Sequence, residues 1–177
     1  MPMNLLPPST LSRELREGRS GDLTRRRWAI GLSFAGGTIG MIVAAYQTGM
    51  IKRLPDVLPG RIWDAEKVDA SDYAYKRLQG PDGPLMMLTY AVTATLFATG
   101  GKERAEQQPW IVLGATAKAW GDLVTCLQLT REEWRDNCAL CSWCQVATGL
   151  SAVTAVLSVP EALQAGRALL GASAQPA

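Results

Sequence analysis

The chain has 177 residues, 47% hydrophobic and 19% charged, with 18 basic against 16 acidic side chains for a net charge of +2. That length suits one compact domain, and near-balanced charge with neither a basic stripe nor a nucleic-acid motif argues against nucleic-acid binding. The absence of histidine removes histidine general-base catalysis, haem ligation by histidine and most zinc chemistry.

A mean hydropathy near zero conceals strong segregation, because blocks of charge alternate with apolar runs. Residues 1–26 are rich in Pro, Ser, Gly, Arg and Glu and read as a disordered cytoplasmic tail with a short helix around Leu11 to Glu17. The tail ends in Arg25, Arg26 and Arg27, directly before the charge-free run Trp28 to Gln47. This resembles a signal-peptide n-region, but the apolar run is long and no small-residue cleavage site follows, so an uncleaved first helix is expected. Its glycines, Gly31, Gly36, Gly37 and Gly40, allow close backbone approach to neighbouring helices.

The segment Met50 to Asp82 is too long for a simple connection, and Pro55, Pro59, Gly80, Pro81 and Gly83 mark turns in it or at its end. Trp63, Val68, Tyr73 and Tyr75 either fold it back as a cap over the helices or are incidental to a solvated loop. A short second helix is expected near Pro84 to Thr99, ended by Gly100 and Gly101, and a third from Pro109 to about Gln128. Lys118 and Asp122 lie four apart on that third helix, hence on one face, and a pair fixing it against its neighbours is favoured over a ligand contact.

The fourth run, Asn137 to Val159, is long enough to span a hydrocarbon core, and Pro160 follows it. Four such runs predict an all-α fold, a four-helix transmembrane bundle of residues 27–161 with a C-terminal tail at 162–177. The triple arginine, with Lys102, Arg104 and Arg167, points to a cytoplasmic N-terminus, which makes the loop between helices 1 and 2 non-cytoplasmic. A soluble bundle would place polar residues every third or fourth position, and the first and fourth runs do not.

Cys138, Cys141 and Cys144 open the fourth run at steps of three, within about a third of a helix circumference at about 100° per residue. The C-x-x-C of Cys141 and Cys144 can close a disulfide or offer two thiols, and a helix start favours the thiolate that attacks and leaves in disulfide exchange. At a membrane edge the natural redox partner is lipid-soluble, so a cleft among four helices suits a quinone. The spacing also matches part of an iron–sulfur ligand run with Cys126 as a distant fourth ligand. Against a metal, the last thiol would lie within a continuous helix that cannot wrap a cluster. A structural disulfide or plainly packed cysteines are the remaining alternatives.

The chain resembles the vitamin K epoxide reductase family over roughly Arg27 to Glu161. The resemblance rests on helix spacing, on CSWC before an apolar small-residue helix, and on the stretch VDASDYAYKRLQGPDGPLMMLTY, where Ser71, Tyr73, Gly80, Pro81 and Tyr90 match the family pattern. It implies an integral membrane protein of the bacterial inner membrane. This protein would be a thiol-disulfide oxidoreductase exchanging electrons between Cys141–Cys144 and a quinone, without a metal, with a thioredoxin-like protein as far partner. By the same resemblance Cys144 lies nearest the quinone, Cys141 exchanges with a relay, and Ser71, Tyr73 and Tyr90 belong to the quinone pocket or its cap. The family's second cysteine pair is missing from the first loop, near Ala65 and Glu66. Either an external thiol reaches Cys141, or Cys126 and Cys138 act as a relay. The alternative is a non-catalytic relative serving as a scaffold, or as a subunit that binds a lipid or protein partner.

Overall fold

The computed structural model describes residues 6–173, and among them every regular element is a helix. In chain order these are α1 (Pro8–Glu17), α2 (Gly21–Gln47), α3 (Ala65–Asp69), α4 (Asp72–Tyr75), α5 (Asp82–Ala98), α6 (Arg104–Gln107), α7 (Pro109–Asn137) and α8 (Ser142–Ser173). Helix α2 packs on α5 and α8, and α7 on α8 and α5, so the four long helices enclose a common interior. Of these, α2 and α8 are long and apolar enough to cross a membrane.

Close approach of α2 and α5 depends on missing side chains. A Cβ on Gly36 would lie 2.3 Å from Cζ of Tyr90, and one on Gly83 would lie 2.5 Å from the backbone nitrogen of Ala44. Small residues therefore act here as the sequence suggests, letting backbones and one aromatic ring meet. Lys118 and Asp122 pair at 2.6 Å on α7 and both reach Thr93 of α5, which fastens the two helices.

Three boundaries differ from the sequence expectation. Within residues 1–26 the expected short helix forms as α1, and α2 begins at Gly21 rather than at Trp28, its first turn capped by Ser20, whose Oγ accepts from the Leu23 amide. Arg27 donates to the carbonyls of Leu15 and Gly18, tying α1 to α2; residues 1–5 lie outside the described residues. Helix α7 runs to Asn137, well past Gln128, so the charged stretch Arg131 to Asp136 is helical and pairs with Lys76 and Arg77 of the loop. Helix α8 continues through Pro160, and Arg104 grips the next residue, Glu161, with two bonds of 2.8 Å. Residues 162–173 of the expected tail are thus helix, and 174–177 lie outside the described residues.

The long loop folds back as a cap. Val68 and Ala74 are fully buried, Tyr73 nearly so, and its hydroxyl donates to the Leu129 carbonyl of α7. Tyr75 donates to the Gln47 carbonyl at the end of α2, and Trp63 forms a parallel bridge with Leu140 immediately before α8.

Candidate active site

Helix α8 begins under this cap. The Cys141 carbonyl accepts the first helical bond from Gln145, and its Sγ accepts from the Cys144 amide at 3.4 Å, so Cys141 occupies the N-cap. A sulfur in that place faces the positive end of the helix dipole. Asp56 of the loop accepts from the backbone and hydroxyl of Ser142 through Oδ1 and from the Ala65 amide through Oδ2. One carboxylate thereby joins the start of α3 to the start of α8. Trp143 donates to the Pro55 carbonyl, closing the cap from the other side.

The two sulfurs of the C-x-x-C differ in surroundings. Cys141 has no exposed surface, whereas Cys144 is half-buried and borders a cavity of about 310 Å³ among α2, α5, α7, α8 and the cap. The cavity wall is mostly apolar, with Val43, Leu85, Met86 and Leu129 beside the polar groups of Tyr90 and Glu133. Such a volume falls at the lower end of small-molecule sites.

Two carboxylates approach the pair. Glu133 of α7 accepts from the Cys141 amide and from the Gln145 side chain, both at 3.3 Å. Asp69 of α3 is buried, and its Oδ1 accepts from Gln47 at 3.4 Å. Gln47 also donates to Asp82 and accepts from the Gly83 amide, so one side chain ties α2 to α3 and α5. Burial pushes the Asp69 carboxyl up to about 7, against a lowering contact with Cys141 and with a further rise from Asp82 and Asp56. A hydrogen bond with Cys144 lowers the Cys141 thiol, but burial and Asp69 outweigh it and carry the thiol up to about 11. The resting form at neutral pH is thus the thiol, despite its place at a helix start.

Donor atoms of Asp69, Cys141 and Cys144 lie within 4.8 Å of one another. As a metal cage this set is one ligand short of a closed tetrahedral shell.

The other residues singled out in the sequence are distributed as follows. Tyr90 lines the cavity and donates its hydroxyl to the Ala147 carbonyl at 2.7 Å, with Ser151 Oγ at 2.8 Å. Tyr73 lines the same cavity; Ser71 does not, and its hydroxyl donates to the Val68 carbonyl on the outer side of the cap. Cys126 also borders the cavity, in the middle of α7 rather than at its end. Cys138 caps the C-terminus of α7 in a left-handed conformation with φ 50° and is exposed. It therefore does not share a helical arc with Cys141 and Cys144. The helix between Cys126 and Cys138 spans about 18 Å at about 1.5 Å per residue, so the structure does not bring these two together.

Sequence reasoning missed Asp69, Glu133 and Gln47. Asp69 and Glu133 sit in charged stretches and Gln47 ends an apolar run, so nothing local marks them, and only tertiary contact brings them near the sulfurs.

Comparison with known proteins agrees with the geometry. The sequence model of the vitamin K epoxide reductase family matches residues 25–159, while no curated protein and no solved structure matches the chain. With most of the chain inside that match, and two helices apolar enough to cross a bilayer, this is a membrane protein that belongs to the vitamin K epoxide reductase family.

Proposed function

We propose that the protein is a quinone-linked thiol-disulfide oxidoreductase whose reacting groups are Cys141 and Cys144. The observation that carries this reading is the position of Cys144, at once in the C-x-x-C and on the wall of a mainly apolar cavity. The family generally works with quinones and thioredoxin-like partners, and a planar ring against Cys144 is the occupant that chemistry calls for. In this reading α2, α5, α7 and α8 all span a bacterial inner membrane. The Arg25 to Arg27 end is cytoplasmic, and the capped end carries the thiols on the outer side.

The overall exchange balances as two thiols plus quinone giving disulfide plus quinol, with two electrons and two protons moving from sulfur to the ring oxygens. Tyr90, with its hydroxyl already engaged by Ala147 and Ser151, shapes the pocket and orients the ring. Purified protein supplied with a dithiol should reduce a short-chain ubiquinone analogue, and Cys144→Ala should abolish the turnover; an unchanged rate in that variant would overturn the reading.

A second reading has an observation in its favour. The cap holds no cysteine and Cys141 is wholly buried, which suits a non-catalytic relative that keeps the bundle to bind a lipid or protein partner. Under that reading wild-type protein supplied with a dithiol would not turn the quinone analogue over.

A further inference from the structure

The dithiol chemistry moves two protons, and the chain has no histidine to carry them. Among the groups around Cys141, Asp69 stands apart. It comes from the cap, four residues after Ala65, and its Oδ2 is buried without a hydrogen-bond partner. Its donor oxygen, the Cys141 sulfur and the Cys144 sulfur all lie within 4.8 Å of one another. Glu133, the other nearby carboxylate, is engaged differently, since its Oε2 accepts from the Cys141 backbone and the Gln145 amide and holds the main chain in place. A buried carboxylate oxygen with no donor is expensive unless it has a proton to exchange.

We propose that Asp69 is a catalytic acid–base residue of the Cys141–Cys144 pair, taking the Cys141 proton as the disulfide forms and returning it as the disulfide is reduced. The proposal rests on the oxidoreductase reading above. As the sulfur–sulfur bond forms, both S–H bonds break and the electron pair passes to the quinone. The Cys141 proton goes to Asp69, the Cys144 proton leaves with the electrons, and both end on the two quinol oxygens. Gln47 holds Asp69 in place while donating to Asp82, which borders the cavity. In the opposite direction protonated Asp69 supplies the proton that the Cys141 thiolate takes when it leaves the disulfide.

The groups facing Asp69 are Cys141 and Cys144 from the start of α8, Asp82 from α5, Asp56 from the loop and Glu133 from α7, with Tyr46 from α2. No cation stands among them, so the carboxyl is held close to neutrality in its titration, and oxidation of the dithiol should quicken as pH rises through about 7.

The test uses the full-length, detergent-solubilised protein, reduced beforehand, with two oxidants: a short-chain ubiquinone analogue, and diamide, whose N=N bond accepts two electrons and two protons. Asp69→Asn should slow disulfide formation about 100-fold with both oxidants and erase the inflection near neutral pH. Asp69→Glu should keep an inflection at a shifted pH. Time-resolved infrared spectra recorded while reduced wild type is being oxidised should show a transient carboxylic-acid band that Asp69→Asn lacks. Wild-type rates and pH profile in Asp69→Asn would overturn the proposal, as would an infrared band that persists in it. If Asp69→Asn does not fold, an Asp69→Glu profile identical to wild type overturns it instead. Wild-type oxidation by diamide but not by the quinone would sink the oxidoreductase reading alone, because the diamide arm still decides the role of Asp69.

Discussion

Arg26, Arg104 and Glu161 at one end of the bundle, and Asp69, Glu133 and Asn137 at the other, are all buried, yet they are provided for in opposite ways. Arg26 donates to four carbonyls around the end of α5, from Phe97 to Gly101, and Arg104 joins Glu161 through two bonds while donating to Leu96, Phe97 and Thr99. No atom of these three side chains is left over. At the cysteine end, Oδ2 of Asp69 and Nδ2 of Asn137 have no partner. A fully satisfied buried network rigidifies a fold, whereas an orphaned polar atom lowers stability and must be explained by what it does. The Arg26, Arg104 and Glu161 network is scaffold, even though Arg25 Nε and Gln108 Oε1 near it also lack partners, and what sets the cysteine end apart is an unpartnered carboxylate oxygen beside two thiols.

The largest test of that contrast is Glu161→Ala, which leaves Arg104 buried and unpaired. Thermal unfolding in detergent should show a loss of about 3–5 kcal/mol, with no effect on the pH profile of thiol oxidation in protein that remains folded. Asp69→Asn should act in the opposite direction. Between the ordinary carboxylate range near 4 and the folded value of about 7, the folded chain binds one more proton than the unfolded chain, so wild-type stability falls as pH rises through that window. The variant lacks this loss, and its stability relative to wild type should grow by up to roughly 4 kcal/mol from pH 4 to pH 7, then level off. Melting curves across that range would settle it, and a pH-independent difference would break the comparison.

Tyr90→Phe removes a hydroxyl placed between Ala147 and Ser151 and should lose about 1 kcal/mol, together with a raised KM for the quinone analogue. The smallest change is expected from Lys76→Ala. Its bridges to Glu132 and Asp136 are at the surface of the cap, with the lysine side chain 40% exposed, so unfolding should shift by under about 1 kcal/mol and less still in high salt.

Much of the fold was legible because lipid-compatible runs are a one-dimensional signal. Trp28 to Gln47 and the run after Cys141 both fall inside helices, and the glycine-rich face of α2 does meet α5. Helix ends were less legible. Pro160 suggested a stop, but α8 continues past it, and the ion pair between Arg104 and Glu161 there joins residues far apart in sequence. The cysteine pair was visible from spacing alone, and its distinction from Cys138 was not, because one left-handed residue separates α7 from the turn before α8. Asp69 carried no local signal. It becomes special only where the cap closes over α8, a fold-back that the sequence left open against a solvated loop, and Lys67 beside it helps close the cap by donating to the Asn137 carbonyl.

The bridge between Trp63 and Leu140, with Asp56 and Trp143 beside it, seals Cys141 from outside. Any reductant the size of a protein must wait for that seam to part before its own sulfur can make contact. Raising the concentration of such a reductant should therefore speed exchange only up to a plateau, whose height reports the opening frequency of the seam, while a molecule small enough to enter beside Cys144 meets no such ceiling.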